Sequence, residues 1–281
     1  MATYLRPAAL DEALEALAAA PLVVLAGGTD HYPARVGRPN DDDILDITAL
    51  DALNGIEERD DHWRIGALTR WSTVRDGDLP PWFDALRLAA REVGGRQVQN
   101  AGTIGGNLCN ASPAADGIPP LLTLDAEVEL AGRDGSELLS LDRFILGNRQ
   151  TARRPDQLLT AISVPKPATA RAGSHFLKLG ARRHLVISIV MTAAALEVDE
   201  RGVIRRARLA IGACSPVARR LPDAEAALGG VPVDGDPAAR IDRAHLRVLA
   251  PIDDVRADAV YRQDAALVLL RRTVAELAAT L

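Results

Sequence analysis

Residues 25–30 read Leu-Ala-Gly-Gly-Thr-Asp, and residues 103–107 read Thr-Ile-Gly-Gly-Asn. The first tract directly follows the apolar run 22–25, which is typical of a short buried strand. Glycine lets the backbone approach a ligand closely, and a strand that ends in Gly-Gly-Thr presents backbone N–H groups in a concave array that binds anions. Two such tracts predict two walls around one pyrophosphate, and therefore a dinucleotide cofactor.

Either tract alone is more typical of an ordinary turn, because Gly-Gly pairs often follow strands without binding anything. Both tracts also lack the known phosphate-binding signatures. There is no Gly-x-Gly-x-x-Gly that opens a helix, as in Rossmann folds, and no Gly-Lys-Ser/Thr, as in P-loops. A nucleotide bound here therefore requires another fold.

The composition narrows the class of protein. A chain of 281 residues is long enough for two domains, or for one domain with subdomains. Residues are 48% hydrophobic but only 3% aromatic, which predicts an aliphatic core and argues against stacking on single-stranded nucleic acid. The net charge of −5 argues against a nucleic-acid partner. Because no apolar run reaches membrane-spanning length and no signal-peptide pattern opens the chain, we expect a soluble, cytoplasmic protein.

The cysteines and histidines do not form a metal-binding pattern. Cys109 and Cys214 are too few and too far apart for a zinc site or an iron–sulfur cluster, and a disulfide would be unusual in the cytoplasm. None of the five histidines stands four residues from another. We expect two reduced thiols and no metal site on this chain.

Hydrophobic periodicity and the positions of prolines and glycines divide the chain into three sections, which are predicted to span 1–55, 56–167 and 168–281. The second boundary falls in the proline-containing stretch 165–170. The predicted helices are 7–20, 79–93, 222–228, 237–249 and 259–279. The predicted strands are 22–26, 44–47, 63–68, 126–131, 158–164, 188–198 and 203–211, with a hairpin turn at 133–136 and an antiparallel pairing of the last two.

Three stretches together resemble a known family. They are residues 26–30, residues 103–116 (Thr-Ile-Gly-Gly-Asn-Leu-Cys-Asn-Ala-Ser-Pro-Ala-Ala-Asp) and residues 178–183 (Lys-Leu-Gly-Ala-Arg-Arg). The chain resembles the FAD-binding (medium) subunit of molybdenum hydroxylases, a group that includes the xanthine dehydrogenase and carbon monoxide dehydrogenase flavoproteins. The resemblance spans nearly the whole chain. It implies an α+β fold: a two-subdomain FAD-binding domain of the vanillyl-alcohol-oxidase type, followed by a small antiparallel sheet packed on helices.

The resemblance also implies residue roles. Segment 24–31 would wrap the FAD pyrophosphate with backbone amides and the Thr29 hydroxyl, and segment 103–107 would form the opposing wall. Ser112 and Asp116 match polar FAD contacts, and Lys178 matches a cation near the flavin. Leu159 matches an apolar position against the flavin ring. The expected cofactor-binding residues are Val24, Leu25, Ala26, Gly27, Gly28, Thr29, Asp30, His31, Thr103, Ile104, Gly105, Gly106, Asn107, Ser112, Asp116, Leu159 and Lys178.

Ordinary alternatives stay open for three of these residues. Asp116 could cap a helix, Leu159 could be plain core, and Lys178 could be a solvated strand residue. Two departures from the family pattern also stand out. Residues 147–151 read Gly-Asn-Arg-Gln-Thr where many relatives have Gly-Tyr-Arg-x-Thr, and the four cysteines of one subgroup's extra cluster loop are missing.

By resemblance, the chain would be an electron-transfer subunit without a catalytic acid–base residue of its own. The molybdenum cofactor would belong to a large partner subunit and the 2Fe-2S clusters to a small one. Electrons would pass from those clusters to FAD and on to NAD, a quinone or oxygen. The alternatives are a stand-alone FAD oxidoreductase of the same fold superfamily, or a non-catalytic nucleotide-binding or assembly module.

Overall fold

A small parallel sheet and one helix form the N-terminal unit. The structure is a computed structural model that describes residues 2–37, 39 and 41–281. The elements are β1 (Tyr4–Leu5), α1 (Leu10–Ala19), β2 (Val23–Leu25) and β3 (Ile44–Asp46), with sheet order β1-β3-β2 and parallel pairing throughout. The buried face of α1 carries Ala13, Leu14 and Leu17, which recur at helical spacing. Because β2 and β3 are parallel, the glycine tract that follows β2 leaves the sheet at the edge where β3 also ends.

The second unit is built on an antiparallel sheet of order β4-β5-β10-β6-β7. Its strands are β4 (Ile56–Glu58), β5 (His62–Gly66), β6 (Glu127–Gly132), β7 (Gly135–Ser140) and β10 (Leu158–Pro165), with a separate hairpin β8 (Ile145–Gly147) and β9 (Gln150–Thr151). Its helices are α2 (Trp71–Asp76), α3 (Asp84–Glu92), α4 (Arg96–Ala101), α5 (Ile104–Asn110), α6 (Ile118–Thr123) and α7 (Leu141–Phe144).

The core of this unit corrects one prediction. Trp71, Trp82, Phe83 and Phe144 are all 2% exposed or less and belong to the same cluster. The expectation of a purely aliphatic core is therefore wrong here. Composition counts aromatic residues over the whole chain, whereas the fold concentrates them in one unit.

The C-terminal unit is an antiparallel sheet of order β11-β12-β13-β14 packed on a long helix. The elements are β11 (Arg171–Leu179), β12 (Val190–Val198), β13 (Ile204–Gly212), β14 (Arg219–Arg220), α8 (Pro222–Leu228) and α9 (Ala259–Ala278). Every residue of β12 is buried, because α9 covers one face of the sheet and the α3 and α6 helices of the second unit approach the other. The sheet therefore joins the two units.

The α+β class is confirmed, and most predicted elements are present with shifted ends. The helix predicted over 237–249 is wrong: two 3-10 turns, Pro237–Arg240 and Arg243–Leu246, stand there instead. Asp242 separates them, because its carboxylate accepts the N–H groups of Ala244 and His245 and starts a new turn.

The helix predicted over 79–93 is shorter in the structure, where α3 follows a 3-10 turn at Pro81–Phe83.

No helix among the described residues is both long enough and apolar enough to cross a membrane.

Candidate cofactor-binding cleft

A cleft of about 770 Å³ lies between the N-terminal unit and the second unit. This volume falls within the range of small-molecule sites, about 300–1,000 Å³. Both glycine tracts line it. Of the predicted residues, the cleft is lined by Val24, Leu25, Ala26, Gly27, Gly28, Thr29, Asp30, His31, Thr103, Gly105, Gly106, Asn107 and Leu159. The structure thus brings together two segments that are more than 70 positions apart in the sequence, although which of them touch a cofactor stays a prediction.

The first tract is shaped by two glycines with different roles. A Cβ on Gly27 would stand 2.0 Å from the carbonyl oxygen of Ala101, so glycine at this position lets two backbone segments of the protein touch. Gly28 has a φ of +67°, a conformation that favours glycine, and its Cβ would meet the Tyr32 ring. The glycine pair therefore joins the two walls of the cleft as well as turning the chain.

The amides of the first tract are available to a ligand. Within the described part of the chain, the N–H groups of residues 27–31 donate to no protein acceptor. The turn that follows is closed by Tyr32 N–H donating to the Gly28 carbonyl and by Ala34 N–H donating to the Asp30 carbonyl, both at 3.2 Å. Consecutive unpaired amides beside a cleft are a suitable binding surface for a phosphate.

The amides of the second tract are already used, which corrects the expectation of a second free array. Ile104 N–H donates to the Thr69 carbonyl and Gly105 N–H to the Ala67 carbonyl, both at 2.9 Å. Gly106 N–H donates to the Thr103 hydroxyl at 3.0 Å, which caps α5. Asn107 N–H donates to the Thr103 carbonyl, closing the first helical turn. This tract is a wall built by packing rather than by free backbone donors.

The side chains of the cleft provide an apolar floor and unsatisfied polar groups. Leu159 is 2% exposed in β10, and Trp71 also lines the cleft. Asn107 Oδ1 is buried, and no donor in the described part of the chain reaches it. Buried polar atoms are seldom left without a partner, so this atom indicates a group that joins the cleft from outside the chain.

A second polar cluster stands at the side of the first tract. Among the described residues, His31 Nε2 is buried without a hydrogen-bond partner, and it lies 4.0 Å from Asp42 Oδ2. Arg35 pairs with the Asp42 carboxylate and also donates from Nη1 to the His31 carbonyl at 3.2 Å. Arg35 therefore ties the carboxylate to the backbone of the tract.

Four predicted residues lie outside the lining of this cleft: Ile104, Ser112, Asp116 and Lys178. Ile104 is fully buried in the core, and Ser112 accepts the Ala114 N–H at 3.3 Å. The roles that the resemblance assigns to these four residues stay predictions.

Asp116 of the second unit and Lys178 of the C-terminal unit form an ion pair. Lys178 Nζ lies 3.0 Å from the Asp116 carboxylate, and the two side chains are only 5% and 11% exposed, respectively. Ser188 donates to the same carboxylate at 3.2 Å. Burial raises the pKa of Asp116 to about 6, an effect that Lys178 and Ser188 only partly offset. Lys178 is therefore not a solvated strand residue, and Asp116 is part of an interdomain ion pair.

Sequence reasoning missed the basic residues of the cleft. Arg149 and Arg153, on and after the β8–β9 hairpin, are lining residues. Arg149 has a φ of +56° and donates to the Asn110 side chain at 2.6 Å, and Arg153 donates to the Gln157 carbonyl at 2.6 Å. The motif at 147–151 could have indicated Arg149, whereas nothing in the sequence singles out Arg153.

Cys109 opens onto the cleft, and its surroundings disfavour the thiolate. Its side chain is accessible, but the surrounding walls desolvate the sulfur and raise its pKa to about 11. Nucleophilic and metal-binding roles need the thiolate. Among the described residues, no group of three His, Cys, Asp or Glu side chains is placed to hold a metal ion.

These residues fit FAD. The pyrophosphate needs anion-binding donors, which the free amides of 27–31 supply, and Arg35, Arg149 and Arg153 add positive charge to the lining. An isoalloxazine ring needs an apolar surface, which Leu159 and its neighbours supply. The orphaned polar atoms of His31 and Asn107 are groups that a polar ligand would satisfy.

Comparisons with known proteins agree with this fit. A family model described as the FAD binding domain in molybdopterin dehydrogenase matches residues 1–167, and one described as the CO dehydrogenase flavoprotein C-terminal domain matches residues 175–277. The chain is 30% identical to the xanthine dehydrogenase FAD-binding subunit of Escherichia coli O157:H7, over 98% of this chain and 95% of that one. It is 32% identical to the nicotinate dehydrogenase FAD-subunit of Eubacterium barkeri, over 82% and 80%, respectively.

A solved structure shares the fold over its full length. The crystal structure of Cu,Mo-CO dehydrogenase in its cyanide-inactivated form contains a chain that superposes with a TM-score of 0.92 at 27% identity, covering 100% of this chain and 98% of that one. Since both family models match in order along the sequence, the chain belongs to the FAD-binding subunits of molybdopterin dehydrogenases, a family of oxidoreductases.

Proposed function

We propose that this chain is the subunit through which electrons leave a molybdenum hydroxylase complex. A large partner subunit would hold the molybdenum cofactor and a small one the 2Fe-2S clusters. The external acceptor would be NAD, a quinone or oxygen, and the complex would be cytoplasmic. The observation that carries the proposal is the cleft between the N-terminal unit and the second unit, with free amides on one wall and an apolar floor. The alternative is a stand-alone FAD oxidoreductase of the same fold superfamily.

In this proposal, the chain's own residues bind and shield the cofactor. FAD, when bound, supplies reversible one- and two-electron chemistry. The amides of 27–31 would hold its pyrophosphate, and Leu159 would provide apolar surface for the flavin ring. Lys178, by resemblance a cation near the flavin, is held by Asp116 and by the Glu92 carbonyl at 3.3 Å. By resemblance, the chain supplies no catalytic acid–base residue of its own.

The visible absorption spectrum of the purified protein, with the cofactor released by heat and identified, tests the cofactor assignment. A flavin spectrum with released FAD supports it, and a protein that stays colourless after incubation with FAD refutes it. Purification from the native host then tests the partner assignment. Co-purifying chains that contain molybdenum and iron support the subunit role, whereas a solitary flavoprotein that reduces an acceptor by itself supports the stand-alone alternative.

A further inference from the structure

We propose that Arg262 is a positioning residue for the cofactor cleft, although its own side chain lies in the C-terminal unit. The inference rests on the FAD-binding role of the cleft and adds a residue that acts on it from the neighbouring unit. Arg262 lies in the first turn of α9, and its side chain is only 3% exposed. A buried guanidinium needs acceptors for its N–H groups, and the acceptors of Arg262 come from three separate segments of the chain.

The guanidinium of Arg262 binds two carbonyls and one carboxylate. Nη1 donates to the Ile189 carbonyl at 2.6 Å and to the Ala213 carbonyl at 3.0 Å. Nη2 donates to Asp254 Oδ1 at 2.7 Å. Ile189 lies just before β12 and Ala213 just after β13. Because these two strands are antiparallel, both carbonyls lie at the same end of the sheet, and Arg262 holds that end together.

This end of the sheet is hydrogen-bonded to segment 113–117 of the second unit. Ala213 N–H donates to the Pro113 carbonyl at 3.0 Å. Ala213 has a φ of +64°, a conformation that is uncommon for a residue with a Cβ and persists where the surroundings impose it. Ser188, which directly precedes the other bound residue, donates to Asp116 Oδ1 at 3.2 Å. One guanidinium therefore supports two hydrogen bonds between the units.

Segment 113–117 in turn packs against the wall of the cleft. Gly117 lies so close to this wall that a Cβ there would stand 2.6 Å from the Trp71 ring and 2.9 Å from Asn107 Oδ1. Trp71 and Asn107 both line the cleft. Because close-packed interiors transmit displacements, a shift of segment 113–117 would move this wall.

The same support reaches a charge beside the cleft. Lys178 Nζ lies 3.0 Å from the Asp116 carboxylate and donates to the Glu92 carbonyl at 3.3 Å, and the next residue, Val93, lines the cleft. The Lys178 side chain is 5% exposed, so water screens its charge weakly and the charge acts on a redox cofactor in the cleft. The placement of this charge depends on Asp116 and, behind it, on Arg262.

The test compares Arg262→Met with Arg256→Met in the full chain. Arg256 is the matched control, because it pairs with the same Asp254 carboxylate at 2.6 Å from an exposed position. In the FAD-free chain, we expect the Ala213 N–H to exchange with deuterium about tenfold faster in Arg262→Met than in the wild type, while amides in the middle of β13 keep their rates. Arg256→Met should exchange like the wild type.

The midpoint potential of bound FAD separates positioning from a purely structural role, which would leave the potential unchanged. Lys178→Met gives the direction of the shift that follows from losing the charge beside the cleft. We expect Arg262→Met to shift the potential in the same direction by a smaller amount, and to add no further shift when combined with Lys178→Met. Arg256→Met should have the wild-type potential. Arg262→Lys keeps the charge but not the planar fork of donors, so its shift should be smaller than that of Arg262→Met.

Asp254→Asn takes the place of Arg262→Met if the latter does not fold, because it weakens the hold on the guanidinium and leaves Arg262 present. A smaller shift in the same direction is then expected. The inference is overturned if Ala213 exchange and the potential stay at wild-type values in the folded variant, if its shift adds in full to that of Lys178→Met, or if Lys178→Met itself leaves the potential unchanged. A wild type that binds no FAD would instead refute the proposed function.

Discussion

Gly27 illustrates how one carbon atom would separate the two walls of the cleft. Its Cβ would stand 2.0 Å from the Ala101 carbonyl oxygen and 2.9 Å from the Gly102 Cα, and both are backbone atoms that cannot rotate away. We expect Gly27→Val to lose FAD during purification, because the amides that follow Gly27 would be displaced. The measurement is the ratio of flavin to protein absorbance.

Gly229→Val is the control for this substitution. Its Cβ would be 3.4 Å from its nearest neighbour, an ordinary contact, and the residue lies far along the chain in the C-terminal unit. It should keep its flavin. Normal flavin content in Gly27→Val would mean that the close backbone contact is not needed for the cleft.

Asp116 gives the protein an unusual pH dependence. Its folded-state pKa of about 6 lies above the ordinary value of 3.8, so the native state binds more protons than the unfolded state between these values. The contribution of Asp116 to the free energy of unfolding therefore falls as the pH rises from about 4 to about 6, and stays reduced above that.

Asp116→Asn isolates this contribution, since the amide does not titrate. We expect the stability of the wild type to fall relative to that of Asp116→Asn as the pH rises through this window, measured by urea unfolding of the FAD-free chain. A constant difference across the window would contradict the burial argument. Repeating the series with FAD tests the cofactor contact that the resemblance assigns to Asp116, because a direct contact would change the slope.

At the scale of elements, α5 depends on its cap. Thr103 accepts the Gly106 N–H with its hydroxyl, and its carbonyl accepts the Asn107 N–H. We expect Thr103→Ala to lower the free energy of unfolding by about 1 kcal/mol, the usual cost of losing a helix cap. Thr103→Ser keeps the hydroxyl and should retain most of the stability. Equal losses in both variants, measured by urea unfolding, would show that the methyl group and not the cap is responsible.

The sequence predicted elements where one local signal dominated. Strand β2 and the tract after it were recognisable because an apolar run ends in Gly-Gly-Thr. The free amides of residues 27–31 follow from that arrangement. The occupied amides of Ile104 and Gly105 do not follow from a local signal, since their acceptors are the carbonyls of Thr69 and Ala67, which only tertiary structure brings near.

The same distinction explains the other misses. Residues 237–249 contain apolar positions at helical spacing, but Asp242 offers a local cap that competes with helix continuation. Arg153 reaches the cleft because a hairpin folds back on α5, and no pattern within the sequence encodes that distance.

At the scale of the whole molecule, one carboxylate joins the FAD-binding domain to the C-terminal sheet. Asp125, which follows α6, accepts from Arg206 at 2.9 Å, from Arg208 at 2.5 Å and from Arg220 at 2.8 Å. Arg208 is 3% exposed and also pairs with the buried Glu197. These arginines all come from β13 and β14. Removing the charge of Asp125 therefore weakens the contacts of both strands with the second unit.

We expect Asp125→Asn to destabilise the protein by roughly 1–3 kcal/mol, because the arginines keep a hydrogen-bond acceptor but lose its charge. Asparagine tolerates the φ of +51° at this position, so backbone strain does not add to the effect. Tryptophan fluorescence reports only the second unit, where Trp63, Trp71 and Trp82 lie, whereas circular dichroism reports the whole chain.

The two probes should unfold together in the wild type and at different urea concentrations in Asp125→Asn. Asp134→Asn, in an exposed turn, is the matched control and should change stability by no more than about 0.5 kcal/mol. Coincident curves in Asp125→Asn would mean that the apolar interface alone couples the domains.

The contrast between the two glycine tracts has a consequence for how the cofactor enters. The amides of 104–107 on one wall donate to protein acceptors, whereas those of 27–31 on the other wall have none among the residues that the structure describes. FAD binding would therefore give the amides of 27–31 their acceptors and leave the hydrogen bonds of 104–107 unchanged. In a hydrogen–deuterium exchange experiment, the protons of 104–107 should be retained with or without FAD, and those of 27–31 should become slow to exchange only when it binds.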